Sequence, residues 1–263
     1  MENNLDSINP KDIRRLIIER AFRAGEGHIG SALSVADILA VIYSGVIKVS
    51  PNRSFDRDMF ILSKGHAALA LYCTLHLLGV IDIGLLDTYA ADGSELGVHP
   101  EYSIPGVDFS TGSLGQGLSI GVGCVLATRL RGSVSRTIVL ASDAELNEGS
   151  MWEAIMFAGH HRLNGLTLII DNNGQQALGP TSDVIDLESI CDKLREFGWG
   201  ANEVNGHDTV EIETMFERQE KRPQAIVART ISGRGISFME GQLLWHYRSM
   251  NDFEYEMALK ELE

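Results

Sequence analysis

The stretch SDAELNEGSMWEAIMFAGHHRLNGLTLIIDNNGQ, Ser142–Gln175, constrains the fold more than any other part of the chain. It sets an aspartate, Asp143, thirty residues before an asparagine, Asn173, with room between them for one helix and one strand. RTIVLA (136–141) and LTLIID (166–171) are short, apolar and β-branched, the pattern of strands buried on both faces of a parallel sheet. The intervening segment places Trp152, Ile155, Met156, Gly159 and Leu163 at helical spacing, with Ser150 as the predicted N-cap and Glu153 as its capping-box partner. A strand, helix and strand in that order make a βαβ unit, whose right-handed crossover delivers both strand ends to the same edge of a parallel sheet. Asp143 and Asn173 therefore leave their strands side by side.

The rest of the chain fits the same plan. Asn9-Pro10 predicts the start of an amphipathic helix that ends near Gly25, and Ser34 with Asp37 predicts a capping box for a helix running to Gly45. The glycines of GEGHIG match a dinucleotide-binding fingerprint, but they follow a helix where that motif must follow a strand, which excludes the Rossmann reading. DMFILS (58–63) predicts a first strand, 67–78 a helix, and Asp82 the cap of a short one. Regular periodicity fails between Ala91 and Gly117, and so long a loop points to function. Beyond it come a helix of small residues (116–130), the central unit, a helix at 186–199, a strand at 201–204, a helix at 208–220, a strand at 223–230, an irregular tail and a closing helix capped by Asn251. Alternation of this kind predicts a doubly wound α/β fold, a mostly parallel sheet with helices on both faces, built as one domain over residues 1–263.

Composition narrows the partners. With 36 acidic and 22 basic side chains the formal charge is −14, which disfavours nucleic acid and anionic membrane surfaces. Cys73, Cys124 and Cys191 are scattered through apolar helical runs, the pattern of core residues in a reducing cytoplasm. The N-terminal segment has no apolar signal region, and no apolar run reaches the roughly 20 residues of a membrane helix.

A diphosphate approaching so acidic a protein needs a divalent cation. Asp143, a side-chain oxygen of Asn173 and a backbone oxygen from the following loop, best Gln175, form a hard donor set suited to Mg²⁺ or Ca²⁺. The alternative is that Asp143 caps a turn while Asn172 and Asn173 tolerate left-handed geometry. His28, His66, His99 and His246 lie in glycine-rich or irregular segments, where imidazoles can donate to hydroxyls or pass protons; the alternative is loop histidines bonded to backbone. His76, His160 and His161 read as helix residues and His207 as a turn residue.

GHIGSALSVADILAVIY, DRDMFILSKGHAALALY, HPE, PGVDFSTGSLGQGLSIGVG, DAELNEGSMWEAIMFA, LIIDNNG and GRGISFMEG followed by WH together resemble the N-terminal, diphosphate-binding half of transketolase, and in particular the short subunits of split bacterial transketolases. The resemblance covers nearly the whole chain. It implies the thiamin diphosphate-binding fold and an enzyme that transfers a two-carbon ketol unit from a ketose donor to a sugar or specialised aldehyde acceptor, with the carbanion chemistry supplied by the cofactor. It further implies that Asp143, Asn173 and Gln175 hold the metal, and that Gly112, Ser113, Leu114, Ala144 and Ile231 line the cofactor. His66 and His246 would touch cofactor and substrate, His28 and His99 substrate, and Glu148 and Glu153 would be buried near a subunit interface, where helix-start charge and capping are their other reading. Ser142 and Ala144 flank the metal aspartate where the family has glycines, and Val98 and Tyr247 replace glycines on the substrate side. In the family the glutamate that activates the cofactor lies in later domains, so the resemblance implies a heterotetramer with a separate C-terminal subunit, and no activity from this chain alone. The competing expectations are a subunit of a 2-oxo acid-processing or acyl-transferring thiamin enzyme, and a non-catalytic scaffold subunit.

Overall fold

The computed structural model describes residues 7–47, 56–218 and 220–263; residues 1–6, part of the segment read for a signal, and Gln219, within the predicted helix 208–220, lie outside the described residues. Helix α1 (Pro10–Ala24) starts as its sequence predicts: the Asn9 side chain accepts from the amide of Lys11, proline sits in the first turn, and Gly25 closes the helix at φ 66°. The helix predicted from Ser34 forms differently. The chain makes α2 (Ile29–Ser34) and α3 (Ala36–Val41), separated at Val35, and ends in a π turn over Ile42–Val46. No Ser34–Asp37 capping box exists, because both side chains bind elsewhere: Ser34 Oγ donates to Asp171 Oδ2 at 2.8 Å, and Asp37 is engaged by Arg14 and His207.

Strand β1 (Met59–Leu62) leads to α4 (Ala68–Leu77), and Asp82 caps the single turn α5 (Ile83–Leu86). Helix α6 (Gly117–Arg131) lies against β2 (Thr137–Ser142) so closely that a Cβ on Gly121 would stand 2.7 Å from Val139 Cγ2, which is why this helix is built of small residues. Helix α7 (Gly149–His160) follows, then β3 (Leu166–Asn172). The N-cap of α7 is Glu148, without a side-chain hydrogen bond; Ser150, the predicted cap, instead donates to the carbonyl of Gly115 at 2.9 Å. A hairpin of β4 (Gln175–Gln176) and β5 (Gly179–Pro180) went unpredicted, and α8 (Thr181–Val184) follows it. Helix α9 (Ile190–Glu196) is shorter than the predicted 186–199, since Ser189 caps it. Strand β6 (Gly200–Asn205), helix α10 (Thr209–Phe216, capped by Asp208), strand β7 (Gln224–Arg229) and helix α11 (Asp252–Glu261, with an Asn251–Glu254 capping box) complete the chain.

Five strands pair in parallel in the order β1-β2-β3-β7-β6. The two-residue period of a strand divides the sheet between two cores. Phe60, Leu62, Ile138, Leu140, Ile169 and Ile226 pack with α1 to α4 and α10 on one face. Ile61, Val139, Ala141, Leu168, Ile170 and Val227 pack with α6, α7 and α9 on the other. The predicted α/β class, with helices on both faces, is what the chain adopts. Among the described residues no helix is long and apolar enough to cross a membrane.

Candidate functional site

The C-terminal ends of β1, β2, β3 and β7 meet at one edge of the sheet, the edge at which parallel α/β sheets present ligand-binding groups. Ser142 is in register with Asp171, so Asp143 emerges beside Asp171, Asn172 and Asn173 as the βαβ reading requires. The Asp143 carboxylate joins the two loops: Oδ1 accepts from the amide of Ala144 and Oδ2 from that of Gly174, each at 2.8 Å. Turn capping and a ligand position are thus compatible in the same side chain. The left-handed conformation sits on Gly174 (φ 73°), not on either asparagine.

Burial, with the neighbouring charge of Asp171, pushes the Asp143 carboxyl up to about 7. A carboxylate so placed gains strongly from a cation laid against it. Asn173 is held by Asp171: its Nδ2 donates to Asp171 Oδ2 at 3.0 Å and its Oδ1 accepts from the amide of Gln175 at 3.0 Å. Asp171 therefore decides which end of the amide is oxygen. An aspartate, an amide oxygen and the nearby peptide carbonyls make an all-oxygen set fitting a hard divalent ion rather than a His/Cys site. Among the described residues no group of three or more His, Cys, Asp or Glu is placed to hold a metal by itself.

Asp171 was not singled out from sequence, nor was its partner. Lys64, at the end of β1, is completely buried, ion-paired to Asp171 Oδ2, and within 3.3 Å of the carbonyl of Ser31. Ser34, Thr230 and Asn173 supply the remaining donors to Asp171. The sequence signal is the lysine of SKGH itself, just past a strand end, a place where an unpaired charge could not be buried.

Three of the four singled-out histidines meet ring to ring: His28 and His246 lie 4.8 Å apart, His28 and His66 5.4 Å, His66 and His246 6.0 Å between centroids. His99 joins them across the glycines, its Cδ2 standing 3.1 Å from where a Cβ on Gly65 or Gly112 would lie. Burial is the main reason that His28 and His66 are shifted down, His66 strongly, and that His246 falls to about 4; His28, His246 and Lys64 add repulsion. These imidazoles are neutral at pH 7. His28 carries backbone strain (φ 57°), and its Nδ1 is buried with no hydrogen-bond partner, as at a site shaped for a ligand.

Gly112, Ser113 and Leu114 lie on the loop facing Gly65, and a Cβ on Gly65 would come within 3.0 Å of the Gly112 backbone. Ala144 begins a single 3₁₀ turn, Ala144–Asn147, and is not among the residues of positive φ, so its methyl imposes no strain there. Glu148 and Glu153 are both exposed on this chain. The buried carboxylate of that segment is Glu145, which sequence reading passed over; it accepts from Ser63 Oγ and from the amide of Gly115. Gln175 sends its side chain to the carbonyl of Gly241. Ile231 follows Thr230 and is exposed. Tyr247 stands edge-on to His246 at 5.1 Å and donates to the carbonyl of Ala177, whereas Val98 packs on the hydrophobic core.

The sequence profile described as transketolase, thiamine diphosphate binding domain, matches residues 6–262. The chain belongs to this family. It is 37% identical over 254 residues to an apulose-4-phosphate transketolase subunit of Phocaeicola vulgatus, covering 95% of this chain and 90% of that protein. It is 39% identical over 257 residues to 6-deoxy-6-sulfo-D-fructose transketolase subunit SqwG of a Clostridium species, covering 95% and 94%. The transketolase structure from Campylobacter jejuni superposes with a TM-score of 0.90 at 31% identity, over 96% of this chain but only 42% of that one. The family resemblance read from the motifs is thereby established, and thiamin diphosphate is the cofactor the family implies.

Proposed function

We propose that this chain, acting as a single domain, is the thiamin diphosphate-binding subunit of a two-subunit transketolase. In this reading it transfers a two-carbon ketol unit from a ketose to a sugar or specialised aldehyde and works in the cytoplasm as a heterotetramer with a separate C-terminal subunit. The observation that carries the proposal is the convergence of Asp143 and Asn173 from adjacent strand ends, within one sheet edge, beside neutral imidazoles. The high coverage of relatives named as transketolase subunits supports the division into two chains.

Asp143, Asn173 and the Gln175 carbonyl would hold Mg²⁺ or Ca²⁺ against the diphosphate, with Ala144 beside it and Gly112, Ser113, Leu114 and Ile231 lining the cofactor. When bound, thiamin diphosphate supplies the carbanion-stabilising chemistry that no side chain of this protein offers. The chain's own part is to bind and orient. Asp171, paired with Lys64, holds the Asn173 nitrogen and so leaves the amide oxygen, which also accepts from the Gln175 amide, as the end that would face the metal, and the close approach of Gly65 and Gly112 leaves backbone, not side chain, against the ligand. His28, His66 and His246 stay neutral, so each offers one N–H and one lone pair to hydroxyl or phosphate oxygens. A group titrating at about 4, as His246 does, is a weak base at pH 7 and serves better as a neutral hydrogen-bond partner than as a proton acceptor. His99 completes the substrate side, and Tyr247 narrows it. Glu148 and Glu153, exposed here, would be covered by the partner.

Calorimetric titration with thiamin diphosphate and Mg²⁺ tests the reading. The complex with the C-terminal subunit binds the cofactor only with the metal present, and Asp143→Ala removes that binding. Metal-independent binding of equal strength in the variant would exclude the assigned ligands.

A further inference from the structure

The turn between β6 and α10 holds a histidine that the catalytic reading does not use. The ring of His207 is almost wholly buried, with 8% of its side chain exposed. Its backbone amide donates to Asn205 Oδ1 at 3.0 Å, fixing the turn. Its two nitrogens face partners of opposite kind: the amide of Ile231 donates to Nε2 at 2.9 Å, and Nδ1 lies 2.7 Å from Asp37 Oδ2. An amide can only donate, so Nε2 is the bare nitrogen and Nδ1 carries the proton given to Asp37. Asp37 is in turn gripped by both terminal nitrogens of Arg14. Burial raises its carboxyl, but the hydrogen bonds from His207 and Arg14 outweigh this and the net shift is downward, so the orienting group stays charged.

A chain of contacts thus runs from α1 through α3 to the segment after β7. That segment is clamped on both sides of Ile231. Thr230 Oγ1 donates to Asp171 and its amide to the carbonyl of Asn172 at 3.2 Å, while the amide of Gly233 donates to the carbonyl of Gly30 at 3.0 Å. Between these two points the Ile231 amide is held by the His207 ring.

We propose that His207 is a positioning residue: oriented by Asp37, it ties down the Ile231 amide and so sets the wall that Ile231 presents to the cofactor. This rests on the function proposed above. Ile231 gains its place from a side chain that touches neither metal nor ligand.

Two substitutions separate the two nitrogens. His207→Gln puts an amide oxygen where Nε2 was, keeping an acceptor for Ile231. His207→Asn puts an amide nitrogen where Nδ1 was, keeping a donor for Asp37 and leaving Ile231 unheld. The test uses the two-subunit complex, with amide hydrogen exchange at Ile231 and titration with thiamin diphosphate and Mg²⁺, alongside thermal midpoints. The Gln variant keeps slow exchange and binds within about threefold of the unsubstituted complex, while the Asn variant exchanges and releases the cofactor about tenfold more readily, the worth of one hydrogen bond. Asn and Gln variants of equal exchange and affinity, or losses that only follow the thermal midpoint, overturn the role of His207. Failure of the unsubstituted complex to bind the cofactor overturns the proposed function instead, and the exchange rates alone then decide whether the ring holds the segment.

Discussion

Replacing Lys64 with methionine tests the charge balance beneath the site. Both Lys64 and Asp171 are completely buried, so neither side chain shares its charge with water. Removing one partner of a buried pair generally costs about 3–5 kcal/mol, because the other charge is left uncompensated. Here Ser34, Thr230 and Asn173 still donate to Asp171, which favours the lower end, about 3 kcal/mol. For a chain of this size that corresponds to a fall of roughly 6–12 °C in thermal midpoint. Asp171→Asn alone strands the lysine and loses a comparable amount. The double variant, neutral at both positions, recovers most of the loss, giving a coupling of about 2 kcal/mol or more in a double-mutant cycle. Thermal unfolding of the four proteins at pH 7 measures it, repeated at high salt, where a pair so buried is little screened. A loss below about 1 kcal/mol for Lys64→Met, or strict additivity, would show that the two buried charges do not depend on each other.

Other perturbations act on separate features. Gly159→Ala places a Cβ 1.8 Å from the carbonyl oxygen of Phe197, a backbone atom that cannot rotate away, so α7 or the 197–199 turn must shift; the expected loss is about 3 kcal/mol, and an unchanged urea midpoint contradicts it. His246, at about 4 when folded against an ordinary value of 6.5, is neutral in the native state, so the unfolded chain takes up its proton first as pH falls. Its contribution leaves stability untouched above pH 6.5 and erodes it progressively between pH 6.5 and 4; His246→Gln should flatten the urea midpoint across that window, and an identical slope in variant and parent argues otherwise. Ala144→Gly removes a methyl from a residue of ordinary helical geometry, so it lowers stability by about 0.5–1 kcal/mol and leaves cofactor affinity within about threefold; a large gain in affinity would show that the methyl holds the diphosphate away.

The architecture was legible where periodicity and turn chemistry agreed. The run from 136 to 175 spelled out β2, α7 and β3, and with them the meeting of Asp143 and Asn173, because two short, continuously apolar strands and a period-3.6 helix between them leave one right-handed arrangement. Local rules failed where tertiary partners competed for the same atoms. Ser34 and Asp37 have capping-box spacing, yet Asp171 takes the first and Arg14 with His207 the second. Ser150 has the chemistry of a cap, yet its hydroxyl turns to Gly115. The pairings of the buried charges Lys64, Asp171 and Glu145 were invisible for the same reason. Each is compensated chiefly by residues 30 or more positions away, among them Ser63 and Gly115 at Glu145, and spacing along the chain does not encode such pairings. The histidines were found because glycine-rich surroundings marked them, but their neutrality follows from mutual burial that only the fold shows.

The proposed function makes this chain the diphosphate side of a site completed by another protein. Ketol transfer from hydroxypyruvate to an aldehyde acceptor, assayed with thiamin diphosphate and Mg²⁺ for the purified chain, its C-terminal partner and their mixture, tests it most directly. Turnover is expected only in the mixture, and Asp143→Ala abolishes it. Equal turnover by the chain alone, or an active mixture indifferent to Asp143→Ala, would contradict it.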